Sequence, residues 1–182
     1  MLASCANAET GESAPTAAAD NGAPYAVSEV ATFEEPWAIA FAPGTQMLFV
    51  TEKAGTLRVM DTATGKTATV SGAPEVAYGG QGGLGDVAFL PAEAGQPLNG
   101  RTIYLSWAEA GEGDTRGAVV GKGTLACASV DACAVEGLSV IWRQTPKVTG
   151  RGHYSHRLAV SPDGQHLFIA SGDRQKMQPA QD

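Results

Sequence analysis

The sequence predicts an all-β chain made of repeated hairpins in a radial array, and three observations carry that reading. First, a phrase recurs: Ala40-Phe41-Ala42-Pro43-Gly44-Thr45-Gln46-Met47-Leu48-Phe49-Val50 lies over Val160-Ser161-Pro162-Asp163-Gly164-Gln165-His166-Leu167-Phe168-Ile169. A looser copy runs from Val87-Ala88-Phe89-Leu90-Pro91 to Ile103-Tyr104-Leu105, with a longer turn. Each copy is an apolar strand, a Pro/Gly turn and a second β-rich strand, the grammar of a hairpin. Second, further short β-rich segments stand between the copies: 56–60, 67–70, 118–123 and 138–143. Third, no segment carries a sustained 3.6-residue apolar pattern with caps, so helix should be scarce. Hairpin units at intervals of tens of residues point to a radial or stacked array. A propeller blade takes about 40–50 residues, so the stretch from Val30 to Asp182 holds about three blades. A closed ring needs at least four, so the chain reads as part of a β-propeller.

The elements follow in order. Leu2-Ala3-Ser4-Cys5 resembles the lipobox at which bacterial lipoprotein signals are cut and the cysteine lipidated, although no basic and apolar regions stand before it. Lipidation at Cys5 is the expectation, with a lone cysteine among small residues as the bland alternative. From Ala6 to Pro24 the chain lacks apolar periodicity and reads as a disordered tether. Residues 1–24 are thus expected to be tether, and residues 30–182 the partial propeller. Trp37, Trp107 and Trp142 each stand among apolar strand residues and are expected in the core.

Glycine and polar residues concentrate in two loops. The first, Tyr78-Gly79-Gly80-Gln81-Gly82-Gly83-Leu84-Gly85-Asp86, lacks the Lys-Ser/Thr ending of a phosphate loop. Its glycines would let backbone approach a flat ligand and aim Gln81 at it; a plain glycine-rich turn gives the same pattern. The second, Gly150-Arg151-Gly152-His153-Tyr154-Ser155-His156-Arg157-Leu158, carries His153, the best acid–base candidate because imidazole accepts a proton near neutral pH. Gly172-Asp173-Arg174 follows at the end of the next hairpin, whose strands bring Asp173 near His153 to fix its tautomer. A surface histidine and a turn aspartate fit that pattern equally. Metal binding through His153 and His156 is disfavoured, since extended spacing puts the rings on opposite faces and no third ligand is near.

Cys127 and Cys133 flank a short polar centre between alternating apolar residues, so a hairpin should bring them within disulfide range. A disulfide there implies an oxidising compartment, with a periplasmic or cell-surface location expected. The net charge of -7 leaves no basic cluster for a polyanion, which argues against nucleic acid as a partner.

Several of these stretches occur together in one known family. Pro36-Trp37-Ala38-Ile39-Ala40-Phe41, Thr51-Glu52-Lys53-Ala54-Gly55-Thr56-Leu57-Arg58, the Gly80 to Asp86 loop and the Gly152-His153 to Gly172-Asp173-Arg174 span resemble, in this order, the N-terminal half of the PQQ-dependent aldose sugar dehydrogenases of the glucose/sorbosone dehydrogenase family. The resemblance covers Ala31 to Asp182 and implies a six-bladed propeller of which this chain holds half a ring. It implies that His153 is the base taking the proton of the sugar's anomeric hydroxyl as hydride passes to PQQ, that Asp173 is its carboxylate partner, and that Gln81 reaches the cofactor and substrate. Gly152 stands where the soluble glucose dehydrogenases carry a sugar-holding Asp, which puts glucose specificity in doubt. The family's other quinone contacts and most Ca²⁺ ligands are expected beyond residue 182, so the chain alone should be inactive. The substrate partner is a small sugar; the electron acceptor is not legible. A non-catalytic cell-surface propeller module that binds carbohydrate or protein is the alternative.

Overall fold

The computed structural model describes residues 24–178. Cys5 and most of the expected tether lie outside them. The chain divides into two compact units, Met1–Thr32 and Phe33–Asp182. The described part of the first is an exposed segment in which the Thr32 hydroxyl donates to Glu29 at 3.1 Å.

The second unit is antiparallel β-sheet throughout, with one 3₁₀ turn at Pro91–Glu93. Strands β1 (Pro36–Phe41), β2 (Met47–Glu52), β3 (Leu57–Asp61) and β4 (Thr67–Val70) form a four-stranded meander. A second meander holds β5 (Leu84–Phe89), β6 (Thr102–Ala110), β7 (Thr115–Ser129) and β8 (Ala132–Arg143), with β9 (Val148–Thr149) paired to β7. β10 (Ser155–Val160) and β11 (Leu167–Ser171) make a hairpin. This is a β-propeller chain of two full blades and the inner half of a third. The three copies of the repeated phrase are the β1–β2, β5–β6 and β10–β11 hairpins, where Phe41 pairs with Leu48, Phe89 with Ile103 and Val160 with Leu167.

The main core lies where the first two blades face each other. Phe49, Leu57 and Val59 from the first meet Leu84, Phe89, Ile103 and Leu105 from the second, all buried. The Phe49 and Phe89 rings tilt together with centroids 5.0 Å apart. Each such side chain contributes about 1.5–3 kcal/mol through apolar burial. Trp107 belongs to this core and Trp142 packs at half-burial on a second cluster, Ala108, Ala118 and Tyr154. Trp37 departs from expectation: it is 44% exposed. Strand alternation puts it with exposed Ile39 and Phe41 on the face of β1 opposite Ala38 and Ala40, and only the latter face meets the second blade.

The inner strands share one irregularity. Each has a register shift near its start, between Pro36 and Ala38, between Leu84 and Val87, and between Ser155 and Leu158. Thr51 Oγ1 on β2 accepts from the Ala38 N–H at 3.0 Å and donates to the Gly85 carbonyl at 2.6 Å. Ser106 Oγ on β6 repeats the arrangement, accepting from the Asp86 N–H and donating to the His156 carbonyl, both at 2.7 Å. A buried hydroxyl on the second strand therefore satisfies the bulge of its own blade and ties it to the bulge of the next. Asp86 adds a second tie, since its carboxylate accepts from the Leu158 N–H at 2.7 Å. In the third hairpin the corresponding position is Ala170, which has no hydroxyl to offer.

Ser106→Ala should cost about 1–3 kcal/mol, because a buried N–H and a buried carbonyl both lose their partner. A lower urea midpoint at unchanged m would show it, with the exposed hydroxyl variant Ser139→Ala staying within about 0.5 kcal/mol of the parent.

Candidate active site

The two glycine-bearing loops come together. Gln81 donates its backbone N–H to the Arg151 carbonyl at 2.7 Å, and its side-chain Oε1 accepts from the His153 N–H at 2.7 Å. Gln81 therefore sits beside His153 and holds its backbone, leaving its Nε2 without a partner among the described residues. The glycines admit this contact. Gly80 has φ +60°, and a Cβ there would come within 2.5 Å of the Arg151 carbonyl oxygen. In this loop the close approach belongs to another stretch of the chain.

His153 and Asp173 meet as their sequence spacing suggested. His153 Nδ1 lies 2.7 Å from Asp173 Oδ1. The pair sits at one end of the β10–β11 hairpin, His153 just before β10 and Asp173 just after β11. Asp173 Oδ1 also accepts from the Gln175 N–H at 3.0 Å, and Oδ2 from the Met177 N–H at 3.3 Å. The His153 ring, and then the Gln175 N–H, hold the Asp173 carboxyl below the ordinary carboxylate range. A carboxylate can only accept, so Nδ1 carries the hydrogen and Nε2 keeps its lone pair. The imidazole side chain is 51% exposed, which leaves Nε2 accessible to a reacting group.

The backbone here is unusual. His153, Ser155 and His156 have φ of +49°, +65° and +65°, and Arg174 and Gln175 have +55° and +57°. Non-glycine residues adopt this region at a cost of order 1 kcal/mol each and persist only where surrounding contacts hold them. Gly172 lies so close that a Cβ would overlap the His153 carbonyl. Gly152 is covered by another side chain, and a Cβ there would fall 2.5 Å from the Gln175 amide. Glycine at 152 thus leaves the space to Gln175.

Sequence reasoning passed over the buried Arg174 and weighed the buried His156 only as a disfavoured metal ligand. Arg174, 1% exposed, donates from Nε to the Gly152 carbonyl at 2.8 Å, from Nη2 to Gly150 at 2.7 Å and from Nη1 to Arg116 at 2.6 Å. Its guanidinium carbon stands 3.6 Å from the centre of the Tyr154 ring. His156, 3% exposed, stacks on the same ring with centroids 5.1 Å apart, and neither of its nitrogens has a hydrogen-bond partner. The motif Gly172-Asp173-Arg174 already contained Arg174, but only burial reveals what it does. Nothing in the sequence marks His156 as interior.

On the first-blade side, the Tyr78 hydroxyl donates to Glu35 Oε2 at 2.7 Å and Lys53 Nζ stands 5.2 Å from the Tyr78 ring centre. The Tyr78 hydroxyl bond, followed by the Lys53 charge, holds the Glu35 carboxyl low. The Arg151 guanidinium beside Gly79 has no partner among the described residues. Away from the site, Cys127 and Cys133 face each other across β7 and β8 and are joined by a disulfide.

The profile of the family described as Glucose / Sorbosone dehydrogenase matches residues 33–182, the whole propeller part. The chain belongs to the glucose/sorbosone dehydrogenase family. Within it, the chain is 37% identical over 149 residues to the aldose sugar dehydrogenase YliI of Escherichia coli (strain K12), covering 82% of this chain and 38% of that protein. A solved structure of a glucose dehydrogenase superposes with a TM-score of 0.71 at 39% identity, covering 81% of this chain and 44% of that one. The PQQ-bound form of an aldose sugar dehydrogenase from Streptomyces coelicolor shares the fold, with a TM-score of 0.67 at 22% identity over 83% of this chain and 42% of that one. This family member therefore spans less than half the length of these relatives.

Proposed function

We propose that this chain supplies the proton-accepting side of a PQQ-dependent aldose sugar dehydrogenase, and that the complete protein oxidises an aldose at its anomeric carbon. The observation that carries this reading is the His153–Asp173 pair, 2.7 Å apart, with the imidazole half exposed, in a chain of this family. Nε2 accepts the proton of the anomeric hydroxyl, and Asp173 stabilises the imidazolium so formed.

The donors on this wall fit an anionic planar cofactor: the Gln81 Nε2 and the Arg151 guanidinium both lack protein partners among the described residues. Bound PQQ would accept the hydride from the anomeric carbon, which is chemistry that no protein side chain provides. Among the described residues no group of three His, Cys, Asp or Glu side chains comes together, and the calcium of this reading takes most of its ligands beyond residue 182. In this reading the exposed face of Trp37, Ile39 and Phe41 is covered by a further blade in the complete protein. The disulfide supports an extracytoplasmic location, and the Leu-Ala-Ser-Cys sequence supports lipidation at Cys5.

The test is dye-linked oxidation of a panel of aldoses by the complete protein, with and without PQQ and Ca²⁺. The expected result is dye reduction that requires both quinone and sugar. Retained glycan binding with no quinone affinity would overturn the proposal in favour of a carbohydrate-binding module.

A further inference from the structure

We propose that Arg174 is a positioning residue for the His153–Asp173 pair, the group that locks the loop before β10 into the strained geometry the pair requires. This rests on the assignment of His153 as the base, and its test is chosen to stand apart from that assignment.

The argument begins with what His153 demands. Its φ of +49° is held by neighbours, and the loop just before it carries two glycines, Gly150 and Gly152, separated by Arg151. Glycine contributes no side-chain packing and the largest backbone freedom, so this loop cannot hold a left-handed histidine by itself. Arg174 provides the missing constraint. Its guanidinium takes the carbonyls of Gly150 and Gly152 at 2.7 and 2.8 Å, which fixes the loop at two points immediately before His153. Its own backbone N–H donates to the His153 carbonyl at 3.2 Å. The planar cation rests on Tyr154, the residue immediately after His153. The Nη1 bond to the Arg116 carbonyl at 2.6 Å, with a longer one to Gln144 Oε1 at 3.5 Å, anchors the assembly to the second blade.

No carboxylate pairs with this buried cation among the described residues; every strong bond runs to backbone carbonyl. A charge buried without a counter-ion is costly, and its retention calls for a task that a neutral residue could not do. Three carbonyls pointing at one centre, with an aromatic face alongside, match the planar donor fork of arginine and not the point charge of lysine. Because Arg174 follows Asp173 directly, the same residue sets where the carboxylate stands and where the imidazole stands. The Arg174 side chain thus registers the pair from the interior, while Gln81 takes the His153 N–H from the neighbouring loop.

The experiment compares the parent chain with Arg174→Lys and Asp173→Asn. The Asp173 carboxyl is followed by carbon NMR through an acid titration. In the parent it titrates below the ordinary carboxylate range because His153 holds it. In Arg174→Lys it is expected to rise toward the ordinary value, with the Gln175 N–H still in place, while the Asp163 carboxyl, held low by Ser161, stays where it was. An Asp173 titration unchanged in folded Arg174→Lys would overturn the proposal.

In the complete protein, Arg174→Lys should lose about 10²-fold in kcat with KM nearly unchanged, the size of effect expected from misplacing a catalytic group by about 1 Å. Parent-like kcat would also overturn it. If the complete protein oxidises no sugar, the family-based function fails while the Asp173 titration still decides the role of Arg174. If Arg174→Lys does not fold, the parent decides on warming below its global transition. Exchange protection at the Arg174 Nε–H and the lowered Asp173 titration should then disappear together, and loss of one alone would refute the link.

Discussion

His153→Ala in the complete protein is expected to lower kcat for sugar oxidation by roughly 10²- to 10⁴-fold, the usual contribution of a positioned general base. KM should change little, because the imidazole acts on a proton in flight. The mechanism follows from the direction of one hydrogen bond. Asp173 accepts from Nδ1–H, so the lone pair stands on the exposed Nε2. Asp173→Asn should give a loss of the same kind. Its amide cannot accept at both oxygen positions, yet Oδ1 now receives His153 and Gln175 while Oδ2 receives Met177. Either orientation of asparagine opposes a donor to a donor. Steady-state kinetics with a dye acceptor and added PQQ measure both variants, and parent-like kcat in His153→Ala would remove it from the mechanism.

The second large effect is on stability in acid. His156 is buried and both ring nitrogens lack partners. Desolvation, helped by the nearby Arg174 charge, pushes its pKa down from 6.5 to about 4. The unfolded chain therefore binds a proton at a higher pH than the folded one does. Stability is fully present above about pH 6.5 and is lost as pH falls toward about 4. At 1.36 kcal/mol per pKa unit the loss comes to roughly 3 kcal/mol. Asp173, Glu109 and Asp163, whose carboxyls are held low, give up their own contributions in a more acidic window, below the unfolded carboxylate values near 4. His156→Asn separates the two, because asparagine accepts the left-handed backbone and does not titrate. Urea midpoints at pH 7 and pH 4.5 should fall steeply in the parent and much less in the variant. Equal slopes would show that His156 is not the group responsible.

The blades were legible because hairpins are local. An apolar strand, a Pro/Gly turn and a second strand specify their own pairing, and all three copies of the phrase proved to be the inner hairpins of successive blades. The outer strands were legible in position but not in length: the segment read at residues 118–123 is the middle of a strand running from Thr115 to Ser129. The His153–Asp173 pair was legible for the same local reason, since one hairpin joins them. Trp37 was misread because a strand's two faces look alike in sequence, and which face is covered depends on the neighbouring blade.

What the sequence by itself determined about this protein is its all-β character, its repeating unit, its family and the spacing that brings His153 to Asp173, the pair on which the proposed proton transfer rests. Those properties reside in short segments whose alternation, turns and spacing act over a few residues. Tertiary structure alone decided what holds the chemistry in place. It turned Gly79 and Gly80 toward Arg151, set Gln81 beside His153, bridged the blades through Thr51 and Ser106, and buried Arg174 and His156 close to the site. Each of these joins residues from different blades or loops. Burial and hydrogen-bond satisfaction are properties of the packed assembly, and no local pattern encodes them.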